Sequence, residues 1–281
     1  MKRRDFVKTI LAAGALAGSY QAGAWNGSVN KSTVIVKNGN SRQRYLKGIQ
    51  NFGGLENFIG KGKRVALKPT MAFNRLPDSG FNSDPDLIKE LIENCFDAGA
   101  RVVSVFDHTI DAWTKCYKNS GIERIAKDGF ARVIPANNEM YYKTVSLDKA
   151  QNLKQVKIHK AVLEADVFIN VAAGRFENEG NFFGAVENLS GCVWERDEIT
   201  AFGNDQKLAE LLYYLKPDLN ILDMEGAQVI STGSATADEI TLQYKGISSQ
   251  QPKYLTLARK LGLGGEELRL DEITLLPVDK I

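Results

Sequence analysis

Apolar residues recur along this chain in two periods, and the two alternate. Residues 33–37 are a short β-branched run, Thr-Val-Ile-Val-Lys, whose pattern predicts a first strand. Tyr45, Leu46 and Ile49 take helical spacing until Gly53-Gly54 interrupts it, and residues 64–69 predict a second strand. Asp84-Pro85 then supplies an N-cap with proline at the first helical position. Leu87, Ile88, Leu91, Ile92, Cys95 and Phe96 follow as one stripe, which Gly99 ends. Residues 101–107 are nearly continuous apolar strand (Val102, Val103, Val105, Phe106), as expected when both faces of a parallel sheet are covered.

The same reading predicts a short helix at 121–127 and strands at 131–135, 143–147 and 166–171. A helix follows at 205–215, with Leu208, Leu211, Leu212 and Leu215 on one side, then a strand at 218–223. The pattern closes with a helix at 252–261, stopped by Gly262, and an extended tail near 272–276. Alternation of this kind predicts an α/β fold: a mainly parallel open sheet with helices on both faces, in three layers. Residues 33–281 read as one α/β domain, with room for a small lobe around 136–160.

The N-terminus carries a different signal. Met1-Lys-Arg-Arg-Asp-Phe-Val-Lys8 places paired arginines before a ten-residue apolar stretch, and Ala22-Gly-Ala24 is a small-x-small cleavage pattern. Residues 1–24 read as a twin-arginine signal peptide cut before Trp25, with 25–32 as a linker. The expected partners are the translocase and a signal peptidase, and the expected location is periplasmic. The apolar stretch is far shorter than the roughly 20 residues of a membrane-spanning helix, so no stable span is expected. Removing the segment leaves 32 basic against 33 acidic residues, a formal charge of −1. The basic pI of the whole chain therefore belongs to the leader, and no basic face points to nucleic acid.

Cys95, Cys116 and Cys192 form no C-x-x-C or ferredoxin-like run, so no iron-sulfur cluster on this chain's own thiolates is expected. Cys95 sits on the apolar stripe and favours buried free thiols, with a Cys95–Cys116 disulfide as the alternative in an oxidising compartment.

In open parallel sheets, ligands bind beyond the carboxyl ends of the strands, where loops diverge and helix N-termini point. That rule selects Lys68 and Thr70, Asp107 and His108, Arg175, and Asp223 with Glu225. Such a set can bind a small anionic ligand, hold a divalent metal through Asp107, His108, Asp223 and Glu225, or run acid-base chemistry. The structural alternatives are a solvated strand cap for Lys68 and a turn-forming role for Asp107-His108-x-x-Asp111. His159 reads as a surface residue, which leaves no two-histidine metal motif. The loop from Gly174 to Gly184 offers backbone N–H groups to an anion, although Glu177 and Glu179 oppose a phosphate. The nearby Phe182, Phe183, Trp194, Phe202, Tyr213 and Tyr214 read as core.

Several segments, in order, resemble the uncharacterised family called domain of unknown function 362. They are Val65-Ala-Leu-Lys-Pro69, Asp84-Pro85 with Asp97-Ala-Gly-Ala100, Asn119-Ser-Gly-Ile122, Leu163-Glu-Ala-Asp-Val-Phe-Ile-Asn170, Gly184-Ala-Val-Glu-Asn-Leu-Ser-Gly191, Lys216-Pro-Asp-Leu-Asn-Ile-Leu-Asp223, and Pro252-Lys-Tyr254 with Leu261-Gly-Leu-Gly264. The resemblance implies redox company, since some relatives carry a ferredoxin-type domain, and it carries over Lys68 and Asp223 as site positions. The chain departs from the pattern at Ala172-Ala-Gly-Arg-Phe-Glu177, where relatives show Pro-Lys-Leu-Lys-Thr-His, at Glu187, where they show lysine, and at 234–240, where they show Asp-Pro-x-Ala. The expectation is an exported protein whose rim binds a cofactor, metal or small anionic ligand beside redox chemistry. The alternative is a non-catalytic binding or accessory protein that has lost the family site.

Overall fold

The computed structural model describes residues 33–176, 182–201, 203–247, 252–263 and 273–278. The leader, the linker, and Glu177 and Glu179 lie outside the described residues. The strands are β1 (Thr33–Lys37), β2 (Arg64–Pro69), β3 (Val102–Val105), β4 (Arg132–Val133), β5 (Tyr142–Ser146), β6 (Gln155–His159), β7 (Val167–Ala173), β8 (Arg175–Phe176), β9 (Phe182–Phe183), β10 (Leu219–Met224), β11 (Ala227–Ser231) and β12 (Thr274–Pro277). Eight of them form one sheet in the order β12-β1-β11-β10-β7-β2-β3-β4. Every pairing is parallel except the two made by β11.

The predicted mainly parallel sheet is therefore present, with one reversed strand that the sequence reading missed. Its cause is local: only Glu225 and Gly226 separate β10 from β11, and Gly226 has φ +76°, so the chain turns straight back as a hairpin. A crossover to a parallel neighbour needs a dozen residues or more.

Helices cover both faces. Beneath the sheet lie α1 (Ser41–Asn51), α2 (Pro85–Asp97), α3 (Trp113–Asn119) and α4 (Ile122–Asp128), meeting Val65, Leu67, Val103, Val105, Ile169 and Ile221. Helix α2 is the one the sequence marked most clearly. Asp84 accepts from the N–H groups of Asp86 and Leu87, and Leu87, Ile88, Leu91 and Ile92 are fully buried, each stabilising by about 1.5–3 kcal/mol. Above the sheet lie α5 (Lys160–Glu164), α6 (Ala185–Asn188), α7 (Arg196–Thr200), α8 (Asp205–Leu211), α9 (Ser234–Tyr244) and α10 (Lys253–Lys260), packed on Ala66, Phe168, Ala172 and Leu222. The β5–β6 hairpin packs into this upper core through Tyr142, Val145, Val156 and Ile158. Among the described residues no helix is long and apolar enough to cross a membrane.

This arrangement locates a crevice. The β2-to-β3 connection runs through α2 below the sheet, and the β7-to-β10 connection runs in the opposite direction through α6, α7 and α8 above it. Between the neighbours β2 and β7 the two crossovers part, the topological switch point at which open α/β sheets bind ligands.

Candidate functional site

The rim beside that point rests on a buried charge pair. Lys68, near the end of β2, and Asp107, just past β3, are each 1% exposed, and their Nζ and Oδ1 atoms lie 2.8 Å apart. Lys68 also donates to Asn188 Oδ1 (2.7 Å) and to its neighbour's carbonyl, Pro69 O (3.0 Å), so all three ammonium hydrogens are used. The other Asp107 oxygen accepts from Met71 N at 2.7 Å. Burial pulls the Lys68 ammonium below the ordinary lysine range, and Asp107 opposes that shift. Lys68 is thus neither a solvated cap nor a free cation. It is a strut.

What it holds is the segment 184–192. A Cβ built on Gly191 would lie 2.1 Å from Asp107 Oδ1 and 2.6 Å from Lys68 Cε, so only glycine lets this backbone close over the pair. Asn188 joins Lys68, Thr70 and Asn170: its oxygen accepts from the Thr70 hydroxyl (2.9 Å), and its amide donates to Asn170 Oδ1 (2.8 Å). Lys68, Asn170, Asn220, Ser231 and Thr33 stand at matching register positions across β2, β7, β10, β11 and β1, forming one buried polar row. Asn170 donates to Asn220 (3.0 Å), Ser234 donates to Asn220 (2.7 Å), and Thr33 meets Ser231 (2.8 Å). Buried polar groups are tolerated when paired in this way, and here they pin the upper layer to the sheet. Further along, Asp238 accepts from the N–H groups of Ala185 and Val186 and from the Tyr254 hydroxyl. Burial pushes its carboxyl up to about 7.

His108, next to Asp107, is half-buried and held at three points by residues 191–196. Its N–H donates to Gly191 O at 3.1 Å, its carbonyl accepts from Arg196 Nη1, and its Nδ1 lies 2.8 Å from Val193 O. A carbonyl is only an acceptor, so Nδ1 carries a proton, and in the neutral ring Nε2 keeps its lone pair. Among the described residues Nε2 has no hydrogen-bond partner, and the Arg196 guanidinium has no acceptor besides the His108 carbonyl. The imidazole stacks on Trp194 (5.3 Å between centroids, 6° between planes), with Tyr142 at 5.9 Å. Arg196 escaped the sequence reading because it lies on α7, far from any strand end in sequence. The spacing of His108 to it is visible only in three dimensions.

The other rim candidates do not join this cluster. Arg175 belongs to the two-stranded β8–β9 sheet, where its guanidinium lies over Phe183 (3.9 Å), Phe73 (4.5 Å) and Phe81 (5.1 Å). Asp223 is at the expected end of the sheet but on its lower face. It pairs with Ala173, three residues beyond the Asn170 that faces Lys68, and alternation along a strand turns it away. There it meets Arg44 (3.0 Å) and Gln228 (3.0 Å); burial raises its carboxyl, which Arg44 opposes. Glu225 is exposed in the hairpin turn. The metal set of Asp107, His108, Asp223 and Glu225 is therefore not brought together. Among the described residues no group of three or more His, Cys, Asp or Glu has metal-holding geometry.

His159 is also corrected: it is buried, not on the surface. Its Nε2 meets Pro135 O (3.1 Å), its Nδ1 accepts from Ala161 N (3.2 Å), and it stacks on Phe106 (4.3 Å), so burial lowers it to about 4. Cys95, Cys116 and Cys192 are all buried.

Residues 65–235, more than half of the chain, match the model of the family described as Domain of unknown function (DUF362). The chain belongs to that family. The DUF362 match contains Lys68, Asp107, His108, Asn188, Gly191 and Arg196, and leaves out Arg44 and Asp238. A thylakoid-associated protein of Synechocystis sp. is 22% identical over 185 residues, covering 62% of this chain. The chain matches 56% of that relative's length, little more than half.

Proposed function

We propose that this protein is exported by the twin-arginine route and binds a small anionic ligand at the carboxyl rim of its sheet, between Arg196 and His108. The observation that carries the reading is a partly exposed guanidinium with one donor committed to the His108 carbonyl and no other acceptor among the described residues. A planar, permanently charged fork suits a carboxylate or phosphate, and a partly desolvated rim strengthens the contact. Lys68 supports the site from below without touching the ligand. A metal is the less supported reading, because the carboxylates that would ligate it already serve Lys68 and Arg44. The proposal does not call on redox chemistry, which rests on the family resemblance alone.

Thermal denaturation of the mature protein with inorganic phosphate, acetate and 2-oxo acids tests the binding. At least one anion should raise Tm in the wild type and leave Arg196→Gln unmoved. Equal shifts in both proteins, or none in either, would favour the accessory role. For export, Arg3→Lys with Arg4→Lys should retain the precursor in the cytoplasm, while the wild type appears in the periplasm with Trp25 at its N-terminus.

A further inference from the structure

The two histidines of this chain are held in opposite ways, and the contrast bears on what the rim does. His159 uses both ring nitrogens, one toward Pro135 O and one toward Ala161 N, inside a fully buried aromatic packing. That is how a histidine serves structure: every polar atom is satisfied. His108 is fixed just as firmly, through its N–H, its carbonyl, its Nδ1 and its stack on Trp194, yet its Nε2 has no partner among the described residues. Its peptide is further anchored by the buried Asp107 before it, whose own N–H donates to the Tyr117 hydroxyl at 3.0 Å. A ring locked in one tautomer with its basic nitrogen left open is the arrangement proton transfer requires.

We infer that His108 is a proton carrier, and that the rim removes a proton from the carbon next to the carbonyl of a small 2-oxo acid held by Arg196. This rests on the anion-binding reading above and extends it from binding to catalysis. Nothing else among the nearby described side chains supports a covalent route: Cys192 and Ser190 are both fully buried. In the step, Nε2 takes the proton from the carbon and the C–H electron pair becomes the enolate, delocalised onto the carbonyl oxygen. The imidazolium so formed donates from Nδ1 to Val193 O, which stabilises the new charge. Return of a proton from Nε2 to the carbon restores both partners, so no other reactant is needed. The charged or titratable groups around His108 are Arg196 at its carbonyl, Asp107 before it in the chain, and Tyr142 with His159 beyond it in the aromatic packing; the Asp111 carboxylate in the same loop accepts from Asn74 N instead.

The test is hydrogen-deuterium exchange at carbon 3 of pyruvate and of 2-oxoglutarate in D2O, followed by proton NMR with the mature wild-type protein. The wild type should accelerate the exchange of at least one acid, and His108→Gln should lower the enzymatic rate about a hundredfold or more. Arg196→Gln should lose both the exchange and the thermal shift with that acid. Nitrogen-15 NMR, in which only two histidines contribute, should show the neutral His108 ring carrying its proton on Nδ1. Exchange that persists in His108→Gln, a bound acid without exchange, or a proton on Nε2 would overturn the inference while leaving anion binding standing. If phosphate and both acids fail to bind, the two readings fall together.

Discussion

Replacing Lys68 with methionine removes the cation of the buried pair and keeps most of the stem. It leaves the Asp107 carboxylate 1% exposed, with Met71 N–H as its remaining donor among the contacts described above. Breaking a buried ion pair from one side costs about 3–5 kcal/mol, a large share of the roughly 5–15 kcal/mol that holds a folded protein together. The double variant Lys68→Met with Asp107→Asn carries no buried charge, and the amide oxygen can still accept from Met71 N–H. Asn188 loses one donor but keeps the Thr70 hydroxyl at 2.9 Å. Its loss should therefore be only about 1–2 kcal/mol, so the pair couples by about 2 kcal/mol or more. Urea unfolding followed by far-UV circular dichroism measures all of these. A Lys68→Met protein within about 1 kcal/mol of wild type, or one that keeps its stability but loses anion binding, would refute the strut and put Lys68 back in contact with ligand.

Three more outcomes follow from the packing and the titrations. Gly191→Ala should destabilise by about 1–3 kcal/mol, because its methyl group meets Asp107 and Lys68 rather than open space. Asp223→Asn should lower stability without changing anion affinity, since that side chain faces Arg44 beneath the sheet; a loss of affinity would mean the two faces share one site. His159 has a folded-state value near 4, below the 6.5 of the unfolded chain, so the unfolded state binds more protons between those values. Its contribution is present above pH 6.5 and is lost progressively as pH falls toward 4, by about 3 kcal/mol in all. Denaturation of His159→Gln beside wild type from pH 7 to pH 4 should show a shallower decline in the variant, and parallel curves would contradict the assignment.

The fold was legible wherever one period ran uninterrupted. β1, β2 and α2 fall where the apolar spacing placed them: β1 and β2 are short apolar runs buried on both faces, and α2 buries one clear stripe and carries its own cap in Asp84. β11 and α9 were missed because buried polar residues break their apolar pattern: Ala-Gln-Val-Ile-Ser carries Gln228 and Ser231 inside, and every residue of α9 from Ser234 to Leu242 is buried, polar ones included. Strand ends placed the candidates at one end of the sheet, but not which of them share a face. Lys68 and Asp223 were read as companions, and only the register of β2, β7 and β10 shows them turned apart. Asn188, Gly191 and Arg196 had no signal of their own. Gly191 looks like any turn glycine until Asp107 is found beneath it.

The central claim is that an anion sits between Arg196 and His108, and the most direct measurement is an anomalous-scattering map from crystals of the mature protein soaked in selenate. The account predicts one selenium peak within about 4 Å of the Arg196 guanidinium, on the side of His108, with its oxygens at hydrogen-bond distance from the guanidinium nitrogens, absent in Arg196→Gln crystals. A map that is empty there, with the anion bound at Arg175 or nowhere on the rim, would contradict it.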